Sequence, residues 1–446
     1  MFTEEEDPDT YKQPTWFLLW DTSKEKEIKE VLYMLAEKPL ELNEQLDYVA
    51  KIYYIMNKHK MKSGEELKGL KAFVEKEAKT GEPSFLPLIA KLALKLDLYF
   101  PDKKIPYVLP EKTYTIPRKA VSALLAGGFF GIYPPQDEAL DRVHSFITYI
   151  SSSEEIAQVK LKFYAHYFRS VSKEEPKGSI DITRTVCPKE VTEKDFFTKC
   201  TLPLTEIKIV RDIDMSDIPK TDIVDFANKF IGGGCMQFST VQEEILFLVF
   251  PELFAARMIN ICMRPSEAII IKGLQRFAVG KGYADTFDFD KPYEDELVKE
   301  IKDDKDCIDR SIIAIDAIYF FLLDEKGEQF MQECVDREIK KAIAGFQVGK
   351  KTIATGRWGC GAFKGCSQLK LLLQWIAISY CKRDAIFVNI KDETLNDADK
   401  VIKLFQEKPL NVLYNEILRV GKEYFKDGKG DIEGYNTFLF KNLLKD

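Results

Sequence analysis

The sequence VDFANKFIGGGCMQFSTVQEE, residues Val224–Glu244, decides the fold of this 446-residue chain. Its first part has the β-branched and aromatic composition of a short buried strand that ends at Ala227. Three consecutive glycines follow, Gly232, Gly233 and Gly234, and glycine permits backbone angles that residues with side chains avoid. The stretch therefore predicts a buried strand leading into a tight turn whose backbone amides can approach a ligand closely.

A helix is predicted directly after this turn. Ser239 or Thr240 can cap a helix that begins near Val241. The uncapped amides at such a helix start carry partial positive charge and favour a phosphate group. We therefore expect Glu243 and Glu244, in the first part of that helix, to lie beside a phosphate-binding site.

This arrangement resembles the signature of the poly(ADP-ribose) glycohydrolases, in which DFAN precedes GGG, and QEE follows after seven residues. Further segments resemble successive blocks of the same family over about residues 115–410, namely RKAVSALLAGGFFG, LKFYAHYFRSV, GYADTF, IIAIDAIYF and ATGRWGCGAF. The resemblance implies a macrodomain with an added helical region. It also implies that the second Glu of the pair, Glu244, is the catalytic acid that cleaves the ribose–ribose glycosidic bond.

The acidic pair also has a structural explanation, which applies to one residue and not to the other. Thr240 with Glu243, and Ser239 with Gln242, each have the spacing of a capping box. Neither box explains Glu244, which we expect at the fourth helical position or later. The resemblance gives Glu244 the role of general acid and then general base, and gives Glu243 the positioning of ribose hydroxyls.

Three further residues of this stretch are candidate substrate contacts. Asn228 offers both a hydrogen-bond donor and an acceptor, which suits a ribose diol, but a turn residue before the glycines is the alternative. Asp225 is either a site residue or a supporting group. Gln242 matches a family position near the adenosine end of the ligand, with capping as its alternative.

A second glycine turn, in Thr355–Phe363 (TGRWGCGAF), also follows a predicted strand and precedes a predicted helix. Its spacing fits neither a P-loop nor the GxGxxG dinucleotide motif, yet its amides can wrap a pyrophosphate. The resemblance places these residues on the pyrophosphate: Gly359, Cys360, Gly361, Ala362 and Phe363. Arg357 stands where the family commonly has Asn, so the resemblance carries no contact to this position.

An aromatic residue is predicted to close over the ligand. The sequence GYAD, Gly282–Asp285, resembles the family's tyrosine loop, and Tyr283 would supply the ring of a lid and a hydroxyl for phosphate or glutamate. The predicted strand Arg383–Ile390 ends in an isoleucine where an aromatic residue beside the adenosine is expected. Phe363 is the alternative source of stacking.

The sequence predicts two structural units, because 446 residues exceed the comfortable size of one core. Residues 1–155 have apolar residues at helical spacing and are predicted to form an all-helical accessory region. In residues 156–446, short β-rich runs alternate with helical ones, which predicts an α/β, macrodomain-like, three-layer catalytic domain with a mixed sheet. The strand candidates are Val159–Phe163, Ser179–Thr183, Glu206–Val210, Asp222–Ala227, Glu267–Ile271, Ser311–Ile318, Lys351–Thr355 and Ala385–Ile390.

Charge and composition limit the partners. The formal net charge of −7 excludes a sliding DNA binder more firmly than an ADP-ribose binder, since amides can hold one pyrophosphate without a basic patch. The chain has no long uncharged apolar stretch, and its start, MFTEEEDPDTYKQP, is acidic where a signal peptide is basic. We therefore expect a soluble intracellular monomer, nuclear or cytoplasmic, with no membrane and no sequence-specific nucleic-acid partner.

Metal and cofactor sites are not indicated. The nine cysteines lack paired C-x-x-C spacing, and His59 and His144 lack a Cys or His partner at ligand spacing. We expect reduced thiols, and the two histidines as surface or packing residues, and we assign no metal and no cofactor.

The resemblance thus implies a hydrolase of the DNA damage response, a glycosidase that cleaves the ribose–ribose O-glycosidic bond of poly(ADP-ribose) and releases ADP-ribose, and the lack of ligand clusters predicts that it works without a metal. Poly(ADP-ribosyl)ated proteins are the expected macromolecular partners. The main alternative is a macrodomain reader that binds ADP-ribose without cleaving it, and Glu244 distinguishes the two, because a reader needs no carboxylate at the anomeric carbon. A phosphatase or nuclease is a weaker alternative, since clustered Asp and His metal ligands are lacking.

Overall fold

A computed structural model describes residues 15–56, 63–136, 144–320, 327–426 and 436–445 of the chain. The acidic first fourteen residues and His59 lie outside the described residues. Among the described residues, we find no helix that is both long and apolar enough to cross a membrane.

The described chain alternates strands and helices. The strands are β1 (Trp16–Leu18), β2 (Lys104–Pro106), β3 (Lys112–Pro117), β4 (Ser179–Val186), β5 (Ile207–Arg211), β6 (Thr221–Ala227), β7 (Glu267–Lys272), β8 (Ala278–Lys281), β9 (Asp288–Pro292), β10 (Ser311–Asp316), β11 (Thr352–Gly356) and β12 (Ala385–Asn389). The helices are α1 (Glu25–Glu37), α2 (Leu42–Ile55), α3 (Lys68–Ala78), α4 (Leu86–Leu94), α5 (Leu96–Tyr99), α6 (Arg118–Phe129), α7 (Ile147–Ser151), α8 (Glu155–Lys173), α9 (Phe196–Lys199), α10 (Gln242–Val249), α11 (Phe254–Ile259), α12 (Gln332–Phe346), α13 (Ser367–Tyr380), α14 (Ala398–Phe405), α15 (Leu410–Tyr424) and α16 (Phe438–Leu443).

Eight strands form one mixed sheet in the order β3-β4-β7-β10-β6-β11-β12-β5. The strands from β10 to β5 pair in parallel, whereas β3, β4, β7 and β10 pair antiparallel. Because β10, β6, β11 and β12 run in the same direction, their carboxyl ends meet at one edge of the sheet. In open sheets this edge is where ligands bind.

Helices cover both faces of the sheet. Along β10, Ile312 and Ala314 belong to a core shared with helices of the first 260 residues, while Ile313 and Ile315 belong to a second core with α12, α13 and α15. This alternation follows from the two-residue period of a strand. The result is the predicted three-layer arrangement.

The predicted strands are confirmed with one exception. Val159–Phe163 lies inside α8, so the strand prediction there is wrong. Its VKLKF sequence alternates apolar and basic residues over five positions, but the longer run buries Ala157, Leu161, Tyr164 and Phe168 at helical spacing.

The first 155 residues also contain strands that their sequence pattern did not indicate. β1 and β2 form a small antiparallel pair, and β3 pairs with β4 at one edge of the main sheet. The described helices of these residues pack in the same core as α8, α10 and α11. The division at residue 155 stays a prediction.

His144 is a packing residue, as predicted. Its ring makes edge contacts with Phe17 and Phe254, with ring centroids 5.0 and 6.5 Å apart, and its Nδ1 lies 2.8 Å from Arg257 Nη1. All nine cysteines fall within the described residues, and all are free thiols.

A buried ion pair joins the first helices to the sheet domain. Arg118 on α6 donates from Nε to Glu252 Oε1 over 2.8 Å and from Nη1 to the Lys177 carbonyl over 3.0 Å, and both charged side chains are fully buried. Glu252 Oε2 also accepts the Gln275 amide at 2.9 Å. Removing one partner would leave the other charge buried without compensation.

We therefore predict that Glu252→Gln lowers the free energy of unfolding by about 3–5 kcal/mol, measured by urea denaturation. Glu416→Gln is the matched control, because Glu416 pairs with Arg419 on the surface, where both side chains are about one-third exposed. The control should cost less than about 1 kcal/mol. Equal losses in the two variants would contradict the structural role of the buried pair.

Candidate active site

The predicted glycine turn and the glutamate pair that follows it lie at the carboxyl edge of the parallel strands. β6 ends at Ala227, directly beside Asp316 at the end of β10, and the chain then runs through the glycine turn into α10. The backbone φ angles of Gly232 and Gly233 are +96° and +41°, in the region that favours glycine. The sequence prediction of a strand, a glycine turn and a helix is therefore confirmed.

Amides of the turn bind a carboxylate of the protein itself. Glu243 Oε1 accepts the Gly232 amide at 2.5 Å, and its Oε2 accepts the Asn228 amide at 2.9 Å. The Asn228 side chain in turn accepts the Phe230 amide at 3.0 Å, which is the turn role that the sequence left open for it. Glu243 makes no capping box with Thr240, whose hydroxyl donates to Ala284.

Glu244 is held by three donors. Its Oε1 accepts the Gly234 amide at 2.9 Å, and its Oε2 accepts the Ser239 hydroxyl at 2.9 Å and the Val241 amide at 3.0 Å. The prediction that Glu244 lies beyond the capping positions is wrong. Val241 is the N-cap of α10, and Glu244, three residues on, makes the side-chain half of a capping box. Neither Ser239 nor Thr240 caps this helix.

Gln242 is bound to the strand and not to its own helix. Its Oε1 accepts the Phe226 amide at 2.9 Å, and its Nε2 donates to the Val224 carbonyl at 3.0 Å. The side chain thus fixes the start of α10 against β6. The capping alternative for Gln242 is wrong.

The two acidic side chains converge on Gly233. A Cβ placed on Gly233 would lie 2.5 Å from Glu243 Oε2 and 2.9 Å from Glu244 Oε1. Both glutamates are only 4% exposed. The Gly232 and Gly234 amides bind these carboxylates, so these two amides are not available for the phosphate contact that the sequence predicts.

A third acid lies behind this pair. Asp225 on β6 is 0% exposed, and within the described part of the chain neither of its carboxyl oxygens has a hydrogen-bond partner. Burial, and then the charge of Glu244, raises the pKa of Asp225 well above its ordinary value. Burial and the charges of Asp225 and Glu244 likewise raise the pKa of Glu243. The cluster therefore favours a carboxyl that keeps its proton near neutral pH.

The predicted tyrosine loop adjoins the start of α10. Thr240 and Ala284 exchange two hydrogen bonds, from the Ala284 amide to the Thr240 carbonyl at 3.1 Å and from the Thr240 hydroxyl to the Ala284 carbonyl at 3.0 Å. Tyr283 is 54% exposed, and partial burial together with the charge of Glu244 raises the pKa of its hydroxyl. The loop thus brings an exposed ring near the acidic pair.

The second glycine turn leaves three consecutive amides open. It is anchored by Trp358, which is buried and donates from Nε1 to the Ile315 carbonyl at 3.0 Å. Among the hydrogen bonds of the described residues, none uses the amides of Gly361, Ala362 or Phe363. A Cβ on Gly361 would meet no atom within 4 Å, so this position faces open space. Such amides suit an anion.

An aromatic pair and an arginine flank this turn. Tyr319, which follows β10, is half exposed. Its ring contacts the Phe363 ring edge to face, with ring centroids 5.4 Å apart. Arg357 is held by Asp392, with Nε 2.9 Å from Oδ2. Phe387 is fully buried, whereas Phe363 and Tyr319 remain partly accessible.

Two models of one protein family match the chain. The model described as poly(ADP-ribose) glycohydrolase, Macro domain fold, matches residues 194–397, and the model of its helical domain matches residues 75–184. The chain belongs to the poly(ADP-ribose) glycohydrolase family. The predicted macrodomain-like fold with a helical region before it is thereby confirmed.

Relatives within the family are distant. Poly(ADP-ribose) glycohydrolase 1 of Caenorhabditis elegans is 31% identical, over 81% of this chain and 46% of the relative. Probable poly(ADP-ribose) glycohydrolase 2 of Arabidopsis thaliana is 26% identical, over 69% of each. The chain therefore spans about half the length of the first relative. A crystal structure of the glycohydrolase from Deinococcus radiodurans in complex with ADP-ribose is 11% identical and covers 53% of this chain and 94% of its own, with a TM-score of 0.31.

Three residues that contact one of the two glycine turns or the glutamate pair were not predicted from the sequence. Ser239 was considered only as a cap, although its hydroxyl binds Glu244. Tyr319 directly follows the predicted strand Ser311–Ile318, within the segment IIAIDAIYF that resembles the family, so its position was a signal. Lys160, which binds the glycine turn from α8, gives no local signal at all.

We predict that Gly233→Ala displaces both carboxylates, because the added methyl would lie 2.5 Å from Glu243 Oε2 and 2.9 Å from Glu244 Oε1. A misplacement of this kind can lower turnover roughly 10²-fold, measured as release of ADP-ribose from polymer. Gly81→Ala is the control, since Gly81 also has a positive φ of +82° but its Cβ would meet nothing within 4 Å. Normal turnover of Gly233→Ala would show that the two acids are not confined as described.

We also predict a pH-dependent effect of Asp225→Asn on stability. Because the folded protein raises the pKa of Asp225, its contribution to stability is present at low pH and is lost as pH rises towards the raised value. Asparagine does not titrate, so the variant does not lose stability in this way. The difference in free energy of unfolding, variant minus wild type, should therefore increase by up to about 1.4 kcal/mol per pH unit above pH 4.

Urea titrations between pH 4.5 and 8 would measure the two slopes. Asp290→Asn is the control, because Asp290 is an exposed residue on β9. Parallel pH profiles for Asp225→Asn and wild type would contradict the assignment.

Proposed function

We propose that this protein is a poly(ADP-ribose) glycohydrolase, which hydrolyses the ribose–ribose O-glycosidic bond of poly(ADP-ribose) and releases ADP-ribose. The observation that carries the proposal is the convergence of the Glu243 and Glu244 carboxylates on Gly233 at the carboxyl edge of the sheet. Membership of the family supports it. A site that only binds ADP-ribose has no need of two buried acids at this point.

Glu244 is proposed as the general acid and base. Its carboxyl donates a proton to the departing ribose oxygen as positive charge develops at the anomeric carbon. The resulting carboxylate then accepts a proton from the attacking water. The Ser239 hydroxyl, 2.9 Å from Oε2, can donate to the ionised carboxylate or accept from the protonated carboxyl, so it supports both states.

Glu243 is proposed to position the ribose. Each of its oxygens accepts one backbone amide, which leaves a second lone pair on each for a ribose hydroxyl. Asn228 remains a proposed ribose contact through its side-chain NH₂, since its side-chain oxygen is used within the turn. Gln242 and the fully buried Asp225 support the site from the strand side.

The second turn is proposed to hold the pyrophosphate. The open amides of Gly361, Ala362 and Phe363 can donate to phosphate oxygens, and Gly359 and Cys360 shape the turn. Tyr283 is proposed to close over the ligand from the opposite side. The Tyr319 and Phe363 rings are candidates for stacking on adenine.

Partners follow from this chemistry. Poly(ADP-ribose), the proteins that carry it and the product ADP-ribose are the proposed ligands. Among the described residues, no cluster of three metal-binding side chains occurs. A monomer and a nuclear or cytoplasmic location remain predictions.

We predict that Glu244→Gln lowers turnover by about 10²–10⁴-fold or more, because one group serves as both acid and base. The NH₂ group of the glutamine side chain would also replace the oxygen that accepts the Gly234 backbone amide. Two donors would then face each other, so a stability loss of about 1–3 kcal/mol is expected as well. Release of ADP-ribose from labelled polymer would be measured in the presence of a chelator, well below the melting temperature of each variant.

Binding of ADP-ribose, measured by calorimetry, separates the possible outcomes. The folded variant should retain it, because the second turn is unchanged. Hydrolysis at the wild-type rate by Glu244→Gln would remove this residue from the chemistry. A wild-type protein that binds ADP-ribose but releases none from polymer would instead be a reader. Glu243→Gln is the comparison variant and should impair turnover while leaving the Glu244 contacts in place.

A further inference from the structure

A buried lysine of α8 holds the chain directly after the glycine turn. Lys160 is 0% exposed, and its Nζ donates to the Gln237 carbonyl at 2.6 Å and to the Cys235 carbonyl at 3.3 Å. Its ammonium group also lies 5.1 Å from the centre of the Tyr149 ring. These contacts give the buried cation two acceptors and an aromatic face.

The two carbonyls belong to the segment that binds the catalytic acid. Cys235 donates its amide to the Gly232 carbonyl at 2.7 Å, and Gln237 donates its amide to the Gly234 carbonyl at 2.8 Å. Gly234 in turn donates its amide to Glu244. A shift of the two carbonyls is therefore transmitted, through one short turn, to the proposed acid.

The contact also joins the two matched parts of the chain. Lys160 lies in the segment matched by the helical-domain model, and Cys235 and Gln237 lie in the segment matched by the macro-domain model. Packing alone would be satisfied by an apolar side chain at this depth. A cation here is explained by the carbonyls that it binds.

We propose that Lys160 is a positioning residue for Glu244, through which α8, in the segment 75–184 matched by the helical-domain model, fixes the geometry of the glycine turn. The inference rests on the proposed function, since it concerns the placement of the proposed general acid. It assigns α8 a part in catalysis that its sequence did not reveal.

The charge state of Lys160 provides a signature of this role. Burial lowers its pKa to about 8, against the opposing influence of Cys235 and Glu244. The other titratable groups facing it behave differently in that range, because burial raises the pKa of Cys235 to about 11 and the pKa of Tyr149 well above its ordinary value. Lys160 should therefore lose its charge as pH rises through about 8, and charge-assisted bonds to the turn weaken with it.

The test compares Lys160→Met with Lys162→Met. Lys162 lies two residues further along α8 and is exposed, with its ammonium group over the Phe289 ring at 5.0 Å. Amide hydrogen exchange of residues 232–238 is measured first, because it needs no enzymatic activity. Losing two bonds to a charged group predicts exchange faster by roughly tenfold or more in Lys160→Met and unchanged exchange in Lys162→Met. Equal exchange in the two variants would overturn the proposal.

Kinetics then separate positioning from general stability. We expect kcat for polymer hydrolysis to fall roughly 10²-fold in Lys160→Met, while KM changes little because the second turn is untouched. The wild type should lose kcat as pH passes about 8, and this loss should be absent from the Lys160→Met profile. The positioning role would be refuted if kcat of Lys160→Met fell above pH 8 as in the wild type, or if Lys160→Met had the same kcat as Lys162→Met.

If Lys160→Met does not fold, the dependence of the wild-type kcat on pH decides. A wild-type kcat that stays constant from pH 7 to 9.5 would then overturn the proposal. A wild-type protein without hydrolytic activity would count against the proposed function, whereas the exchange data would still decide whether Lys160 holds the turn.

Discussion

Hydrogen bonds from a glycine turn to two adjacent carboxylates are the interaction on which the rest of the site depends. Buried carboxylates need donors, and the backbone amides of Gly232, Gly234, Asn228 and Val241 supply them. The turn can present these amides only because glycine accepts its positive φ angles and leaves room where a Cβ would strike both acids. Each half of the arrangement therefore requires the other. The acids fix the turn, and the turn fixes the acids.

The two glycine turns meet at one sheet edge but serve different chemistry. In the first turn the amides bind the two glutamates, so the groups available to a ligand are carboxylates, which accept hydrogen bonds. In the second turn the amides of Gly361–Phe363 are open, so the groups available to a ligand are hydrogen-bond donors. A nucleotide-containing substrate with a sugar linkage and a pyrophosphate presents matching groups to the two turns. The parallel strands set the spacing, because their carboxyl ends lie side by side.

Buried ion pairs beneath the second turn hold this edge together. Glu338 on α12 accepts the Ile318 amide at 2.9 Å and pairs with Lys370 of α13, whose ammonium group lies 4.3 Å from the centre of the Trp358 ring. Arg337 beside it pairs with Asp316 at the end of β10. Such networks are costly to bury and are fully satisfied only in one arrangement. They link the helix layer to the two chain segments, after β10 and after β11, that flank the proposed pyrophosphate site.

The sequence by itself determined the elements and the signature. The DFAN, GGG and QEE spacing located the strand, the turn and the helix, and seven of eight strand predictions were right, because each depends on local composition and period. Tertiary structure decided the rest. Short alternation at Val159–Phe163 predicted a strand, but burial of one face over a longer run made a helix. Capping also depended on contacts distant in sequence, since Thr240 binds Ala284 and Gln242 binds β6, which left the N-cap to Val241. The hold of Lys160 on the glycine turn joins residues more than seventy positions apart, and no local pattern encodes a contact between two backbone carbonyls and a distant helix.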